Sequence, residues 1–140
     1  MLAVKNYMAS DSQQAPRTLI VGLGVTGFSC ARFLVRQGVE VAVTDSREQP
    51  PALTLMQTEM PDVALFVGGF DNDAFARAQR IVVSPGVSLR EPLLVDAQQR
   101  GIEIIGDIEL FARSATAPVV GITGSNGKST VTTLLGAMAS

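Results

Sequence analysis

Two glycine-rich stretches of the sequence have the residue types and the spacing that bind phosphate groups. The first is "GLGVTG", in which Gly22, Gly24 and Gly27 stand between an apolar run and an amphipathic one. Glycines at this spacing permit a tight turn and let backbone N–H groups and a helix N-terminus approach a diphosphate closely. The stretch therefore predicts a nucleotide site, although a glycine turn with a purely structural role remains an alternative.

The second stretch is "TGSNGKST", residues 123–130. Its backbone N–H groups are predicted to surround phosphate groups, while Lys128 adds a positive charge at the β and γ positions and Ser129 offers its hydroxyl to magnesium. The common P-loop pattern requires a glycine where Ile122 stands, so this loop has a shorter glycine spacing. A surface turn that happens to contain lysine is the alternative. The residues predicted to form this phosphate loop are Gly124, Ser125, Asn126, Gly127, Lys128, Ser129 and Thr130.

Two further polar groups follow apolar runs. Asp45 stands 18 residues after Gly27, where dinucleotide-binding proteins keep the acid that binds a ribose. The turn Ser84–Gly86 ends another apolar run. Ligands of doubly wound sheets bind at the carboxyl ends of the strands, so both groups are predicted to lie beside Gly22–Gly27. These residues alone leave open a nicotinamide-dependent dehydrogenase, another nucleotide-binding protein and a structural turn.

The elements that must position these residues alternate regularly from Arg17 onward, with short β-branched runs followed by helical patterns. This order predicts an α/β fold, a Rossmann-like doubly wound parallel sheet with helices on both faces. The pattern restarts after "SATAP" with a strand "VVGIT", a phosphate loop and a helix, as at the start of a P-loop ATPase domain. The predicted divisions are a disordered lead-in at 1–16, a nucleotide-binding domain at 17–117 and the start of a second domain at 118–140.

Composition narrows the function further. The 140 residues are 46% hydrophobic and carry a net charge of −2, without the basic field that nucleic-acid binding requires. No apolar run reaches the roughly 18 residues of a membrane helix, and the N-terminus does not resemble a secretory signal, so a cytoplasmic protein with small-molecule partners is expected. The sequence has no histidine, which removes the commonest general base. Its one cysteine, Cys30, is predicted to be a buried hydrophobe rather than a reactive thiol. It lies on the apolar side of a predicted helix, to which the periodicity also assigns Phe28, Ala31, Phe33, Leu34 and Val35.

Taken together, the motifs resemble those of the Mur ligase family. The resemblance runs from about Thr18 to the C-terminus and rests on "GLGVTGFS", "TDSR", "VSPGV", "GIEIIGDIELF" and "GITGSNGKSTVTTLLG" in that order. It implies that the Rossmann-like domain holds the UDP part of a substrate rather than NAD. By resemblance, Val25, Thr26, Ser84, Pro85 and Gly86 would contact the diphosphate, and Asp45, Ser46 and Arg47 would contact the uracil.

The resemblance also implies a reaction. ATP would phosphorylate the carboxylate of UDP-N-acetylmuramoyl-L-alanine, and the amine of D-glutamate would attack the acyl phosphate to form an amide during peptidoglycan synthesis. Lys128 would be the catalytic residue and Ser129 the magnesium ligand. By the same resemblance, 118–140 would be the truncated start of the central ATP-binding domain, and residues 124–130 would bind ATP. The chain would then be an inactive N-terminal fragment, because the rest of that domain and the domain that presents D-glutamate are absent, and a monomer is expected. A dehydrogenase fragment and a non-catalytic UDP-sugar-binding module are the competing interpretations.

Overall fold

The central sheet consists of five short parallel strands. The computed structural model describes residues 17–118 and 120–139 of the chain. Within them the strands are β1 (Thr18–Val21), β2 (Val41–Asp45), β3 (Ala64–Val67), β4 (Arg80–Val83) and β5 (Glu103–Gly106). Every residue of β1 and β2 is buried, as expected for parallel strands that helices cover on both faces.

Helices follow each strand along the chain, as the sequence predicts. The described helices are α1 (Val25–Arg36), α2 (Leu53–Glu59), α3 (Asn72–Arg77), α4 (Pro92–Gln99), α5 (Asp107–Ser114) and α6 (Lys128–Ala139). Helix α1 ends where Gly38 adopts a positive φ of 76°, a conformation that suits glycine because it has no Cβ. The α/β architecture predicted from the sequence is therefore confirmed.

The order of strands creates a crevice at one edge of the sheet. The strands are arranged β3-β2-β1-β4-β5, so the chain moves outward from β1 to β3 and then returns to the other side of β1. Thr18 of β1 aligns with Val41 of β2 and Arg80 of β4. The connections after β1 and β4 consequently leave the sheet on opposite sides, and ligands bind at such a reversal point in this fold.

Two apolar layers cover the sheet. Leu19 and Ile20 are neighbours on β1 but belong to opposite layers, because successive side chains of a strand point to opposite faces. The layer that contains Ile20 includes Phe28, Ala31 and Leu34 of α1, Met56 of α2 and Leu110 of α5. The layer that contains Leu19 includes Ala74 and Phe75 of α3 and Leu94 and Ala97 of α4. Helices on both faces are thus confirmed.

The buried face of α1 differs in part from the sequence-based expectation. Cys30 is buried, as predicted, and burial followed by the nearby charge of Asp107 raises the pKa of its thiol. Phe33 and Val35, which the periodicity assigns to the apolar side, are each 36% exposed. They flank Leu34 by about 100° on the helix, so only Leu34 faces the sheet directly.

Helix α3 begins with a side-chain cap that can be tested. The Oδ1 atom of Asp71 accepts a hydrogen bond of 2.7 Å from the N–H of Ala74. The Asp71→Ala variant is expected to lose about 1 kcal/mol of unfolding free energy in urea, the usual cost of removing an N-cap. Asp73→Ala is the control, since Asp73 lies in the first turn without capping it and should cost only a few tenths of a kcal/mol. Equal losses in the two variants would contradict the assignment.

The C-terminal segment departs from the prediction. Residues 120–123 do not form a strand, and helix α6 begins at Lys128. The described sheet contains only the five strands β1, β2, β3, β4 and β5. The predicted strand "VVGIT" is therefore wrong over 120–123, where no neighbouring strand is available for pairing. Val119, also part of that prediction, lies outside the described residues, as does the predicted lead-in at 1–16.

Candidate functional site

A cavity of about 540 Å³ lies at the carboxyl edge of the sheet, where the strand order reverses. Its walls come from the glycine loop after β1, the end of β2, the loop after β3 and the turn after β4. The lining residues are Gly22, Gly24, Val25, Thr26, Asp45, Ser46, Arg47, Phe70, Ser84, Pro85, Gly86, Val87, Ser88 and Glu91. The structure therefore brings together all eight residues assigned to UDP by resemblance.

The glycine loop is shaped by close contacts that only glycine permits. Gly22 has a φ of 99°, and a Cβ atom there would lie 2.9 Å from both the Cβ of Ser84 and a methyl carbon of Val87. A Cβ atom on Gly27 would overlap the carbonyl oxygen of Gly22. By contrast, a Cβ atom on Gly24 would meet no atom within 4 Å. The first and third glycines thus allow the loop to pack, while the second leaves room in the cavity.

The N-terminus of α1 opens onto this cavity. Gly24 is the N-cap and has no side chain with which to accept a hydrogen bond from the first turn. The N–H groups of Val25 and Thr26 belong to that turn, where no carbonyl of the helix can serve as their acceptor. Both residues line the cavity, and Val25 is 78% exposed. This arrangement suits an anion such as a phosphate group, which the helix dipole also favours.

The carboxylate of Asp45 is fully engaged within the protein. Its Oδ2 atom accepts hydrogen bonds from the N–H of Leu23 at 2.6 Å and from Nη2 of Arg47 at 2.7 Å. Its Oδ1 atom accepts from the backbone N–H and the Nε of Arg47 at 2.8 and 2.9 Å. Asp45 is only 2% exposed. It therefore joins the glycine loop to Arg47, which is a role that the sequence did not predict.

This network also sets the ionisation of Asp45. Burial alone would raise the pKa of the carboxyl, since it disfavours the charged form. The hydrogen bonds from Arg47 and from the N–H of Leu23, together with the charge of Arg47, outweigh burial and lower the pKa below its ordinary value of 3.8. Asp45 is consequently an anion at neutral pH. The guanidinium of Arg47 compensates its charge.

Ser84 holds the turn after β4 against the glycine loop. Its hydroxyl donates a hydrogen bond of 2.9 Å to the carbonyl oxygen of Gly22, and its backbone N–H donates to the carbonyl of Val21 at 2.9 Å. The hydroxyl proton of Ser84 is thus already used. A phosphate at this turn would have to find its donors elsewhere, such as the backbone N–H groups of the glycine loop and α1.

Four lining residues were missed by the sequence analysis: Phe70, Val87, Ser88 and Glu91. Phe70 follows two glycines at the end of β3, and the rule that ligands bind at carboxyl ends of parallel strands could have identified it. Val87, Ser88 and Glu91 follow the predicted turn Ser84–Gly86. Their positions depend on how the chain enters α4, which no short motif encodes.

The predicted ATP loop is separate from this cavity. None of the residues 124–130 lines it, and all seven are exposed. Gly124 and Gly127 have φ values of 154° and 78°, and Lys128 is the first residue of α6. The loop and the helix thus follow in the predicted order, without the strand that should precede them.

The described residues contain neither a cluster of metal-ligating side chains nor a membrane-spanning helix. No group of three or more His, Cys, Asp or Glu side chains in residues 17–118 and 120–139 is arranged to hold a metal ion. Over the same part of the chain, no helix has the length and the apolar character needed to cross a membrane.

The chain is similar to known proteins over most of its length. The family model described as Mur ligase MurD-like, N-terminal domain, matches residues 16–106. A UDP-N-acetylmuramoylalanine–D-glutamate ligase from Nitrosococcus oceani is 57% identical over 127 residues, which cover 91% of this chain and 28% of that protein. The ligase of the same name from Marinobacter nauticus is 57% identical over 123 residues, 88% of this chain and 28% of that protein. The chain therefore spans about 28% of the length of these relatives.

Solved structures show the same fold. A pseudomurein peptide ligase type C from Methanothermus fervidus aligns with a TM-score of 0.60 and 28% identity, covering 83% of this chain and 24% of that one. A UDP-N-acetylmuramate–alanine ligase from Thermotoga maritima aligns with a TM-score of 0.59 over 71% of this chain and 23% of its own. At 16% identity the second comparison concerns the fold alone.

Proposed function

Since the chain belongs to the family of MurD-like N-terminal domains of Mur ligases, we propose that its cavity binds the UDP part of UDP-N-acetylmuramoyl-L-alanine. One observation carries the proposal. The cavity of about 540 Å³ joins a glycine loop, the start of a helix and the segment 45–47 at the reversal point of the sheet. A nucleoside diphosphate has the two parts that such a cavity can accommodate, namely phosphates and a base with hydrogen-bonding edges.

The diphosphate would bind mainly through backbone groups. Arg47 is the one cationic side chain among the described residues that line the cavity, and it is already paired with Asp45. The N–H groups of the first turn of α1, near Val25 and Thr26, are the best-placed donors, and the turn Ser84–Gly86 also lines the cavity. Binding through oriented N–H groups and a helix dipole suits a phosphate ester without a cluster of lysines.

The base would bind beside 45–47 through groups other than the Asp45 carboxylate. That carboxylate already accepts four hydrogen bonds from protein donors. Asp45 therefore positions Leu23 and Arg47, while the Ser46 side chain and the exposed part of Arg47 are the groups that can meet a uracil edge. Half of the Arg47 side chain is exposed, at 52%.

The hydrogen bonds of the Asp45 carboxylate argue against the dehydrogenase alternative. Nicotinamide-dependent enzymes of this fold use an acid at the end of β2 to bind the ribose hydroxyls of NAD. Asp45 occupies that position, but its carboxylate is buried and bonded to Leu23 and Arg47. A ribose could reach it only by breaking those bonds. UDP, which places a base rather than an adenosine ribose there, makes no such demand.

For the whole protein we propose ATP-dependent amide formation between UDP-N-acetylmuramoyl-L-alanine and D-glutamate, in the cytoplasm and as part of peptidoglycan synthesis. Transfer of the γ-phosphate to the carboxylate would give an acyl phosphate, which the amine of D-glutamate attacks as phosphate departs. Lys128 would neutralise developing charge on the phosphates, which is the main contribution a protein makes to such a step. The relatives that carry this name support the proposal.

Magnesium would be expected with the ATP. The exposed Ser129 hydroxyl fits one ligand position, since magnesium takes oxygen ligands and usually keeps several waters and phosphate oxygens. Bound there, the ion would neutralise phosphate charge. The remaining residues of 124–130 would cradle the phosphates through their N–H groups, with Lys128 at the β and γ positions. No partner other than these small molecules is proposed, and the monomeric state stays a prediction.

Calorimetric titration of the full chain tests the nucleotide assignment. UDP is expected to bind saturably, with ATP and NADH at least about tenfold weaker, a difference of roughly 1.4 kcal/mol. Two features lead to this expectation. The loop 124–130 is exposed and separate from the cavity, and the Asp45 carboxylate is not free for a ribose. NADH binding tighter than UDP binding would favour the dehydrogenase alternative instead.

A further inference from the structure

A half-buried phenylalanine borders the polar cavity. Phe70 is the one aromatic residue among the described residues that line the cavity, and it also lines a second cavity of about 280 Å³ beside β3. Its ring packs against the apolar layer that contains Phe75, with the two ring centroids 6.2 Å apart and the planes at 70°. Phe75 is 1% exposed. The buried ring thus fixes one side of Phe70, while another side remains open to the cavity.

The backbone around Phe70 is held to the end of β2. The N–H of Gly68 donates to the carbonyl of Arg47 at 2.9 Å, and the N–H of Gly69 donates to the carbonyl of Asp45 at 3.4 Å. The N–H of Asp71 donates to the hydroxyl of Thr44 at 3.2 Å. These three bonds keep Phe70 next to the segment 45–47. Because Phe70 also lines the cavity, it lies at the end near 45–47, where a base would bind.

We propose that Phe70 is the apolar contact for the base of the bound nucleotide. The inference rests on the proposed UDP site and adds the residue that contacts the ring face, which no motif in the sequence identifies. The Ser46 hydroxyl and the N–H groups of Arg47 can bind the edge of a base, whereas its face gains most from an aromatic surface. Val25 and Val87 are apolar but flank the glycine loop and the turn after β4, where the phosphates would lie.

The test compares two ligands and four variants of the full chain by calorimetry. Phe70→Ala should weaken UDP binding about tenfold, the size expected for loss of one aromatic contact to a base. Phe70→Leu should lose less, and Phe70→Tyr should stay near the unsubstituted chain. Binding of inorganic diphosphate should be the same in all of them, since it has no base. Phe111→Ala is the matched control, because Phe111 is 57% exposed on α5 and does not line the cavity.

The outcomes separate the inference from the site on which it rests. UDP affinity that is unchanged in Phe70→Ala would overturn the role of Phe70 and leave the UDP site standing. A parallel loss of UDP and inorganic diphosphate would also overturn it, because that result indicates a loosened loop rather than a lost contact. If Phe70→Ala fails to fold, the other two variants at this position decide the question. Tighter UDP binding by Phe70→Tyr than by Phe70→Leu supports the proposal, and equal affinities contradict it. An unsubstituted chain that does not bind UDP would overturn both.

Discussion

The Gly27→Ala variant is expected to lose about 3–5 kcal/mol of unfolding free energy and, with it, nucleotide binding. Gly27 is the third residue of α1 and is buried, so an added Cβ atom would overlap the carbonyl oxygen of Gly22. The backbone of Gly22 cannot easily move away from the added atom, because hydrogen bonds hold it on both sides. Its N–H donates to the carbonyl of Thr44 at 2.8 Å, and its own carbonyl accepts from the Ser84 hydroxyl at 2.9 Å. Urea unfolding followed by circular dichroism measures the loss.

Gly24→Ala is the matched control for that experiment. Gly24 has a φ of −91°, and a Cβ atom there would meet nothing within 4 Å. The expected cost is at most about 1 kcal/mol, from replacing glycine by alanine at an N-cap. Intrinsic helix propensity predicts the opposite sign for Gly27→Ala, a gain of about 1 kcal/mol. A Gly27→Ala variant as stable as the unsubstituted chain would therefore refute the close packing of the glycine loop.

Asp45→Asn is expected to cost about 2–3 kcal/mol at neutral pH, because the amide turns one acceptor oxygen into a donor. Either the buried N–H of Leu23 or the Arg47 side chain then faces another donor. The half-exposed Arg47 contributes the smaller part, since water screens its charge. Urea unfolding of both proteins at pH 7 gives the difference.

The same pair of proteins carries a pH signature. The pKa of Asp45 in the folded protein lies below its ordinary value of 3.8. Between these two pKa values the unfolded chain therefore binds more protons than the folded protein does. The stability that Asp45 contributes is therefore complete above about pH 5 and is lost as the pH falls through the folded pKa. The deficit of Asp45→Asn should shrink as the solution is acidified below pH 4. A deficit that is constant with pH would mean that the charge of Asp45 does not matter.

Asp96→Asn provides the control for the charge effect. Asp96 also pairs with an arginine, Arg100, at 2.9 Å, but both side chains are exposed, at 63% and 37%. An exposed pair of this kind contributes about 0.3–0.5 kcal/mol. A loss for Asp96→Asn as large as that for Asp45→Asn would show that burial of the Asp45 network is not what gives it its strength.

The sequence predicts the architecture well because the signals are repeated. Four of the five strands are short runs with two or three β-branched residues, and their alternation with helices favours a parallel sheet. The strand "VVGIT" fails for a related reason. Its composition is that of a buried strand, but a ladder depends on partners elsewhere in the chain, and residues 120–123 have none among the described strands. The residues within a segment do not reveal whether another strand is available to pair with it.

The sequence predicts where the site lies, but not what its polar side chains bind. The glycine spacing predicted the position of the loop. The rule that ligands bind at the carboxyl ends of parallel strands predicted that Asp45 and Ser84 lie beside it. What these side chains do depends on contacts between distant segments. The carboxylate of Asp45 reaches Leu23, 22 residues away, and the hydroxyl of Ser84 reaches Gly22, 62 residues away. No spacing rule encodes such bonds, so both residues are expected from sequence to meet ligand, yet in the structure their polar groups bind protein.

Amide chemical shifts of the ¹⁵N-labelled chain, recorded while UDP is added, test the central claim most directly. Saturable shifts are expected at Val25 and Thr26, at Ser46 and Arg47, and around Ser84–Gly86, with residues 124–130 unaffected. Such a pattern would place the nucleotide in the cavity at the reversal point of the sheet. The absence of saturable shifts at these amides, or UDP-dependent shifts confined to 124–130, would contradict the assignment of this domain as the UDP-binding part of a Mur ligase.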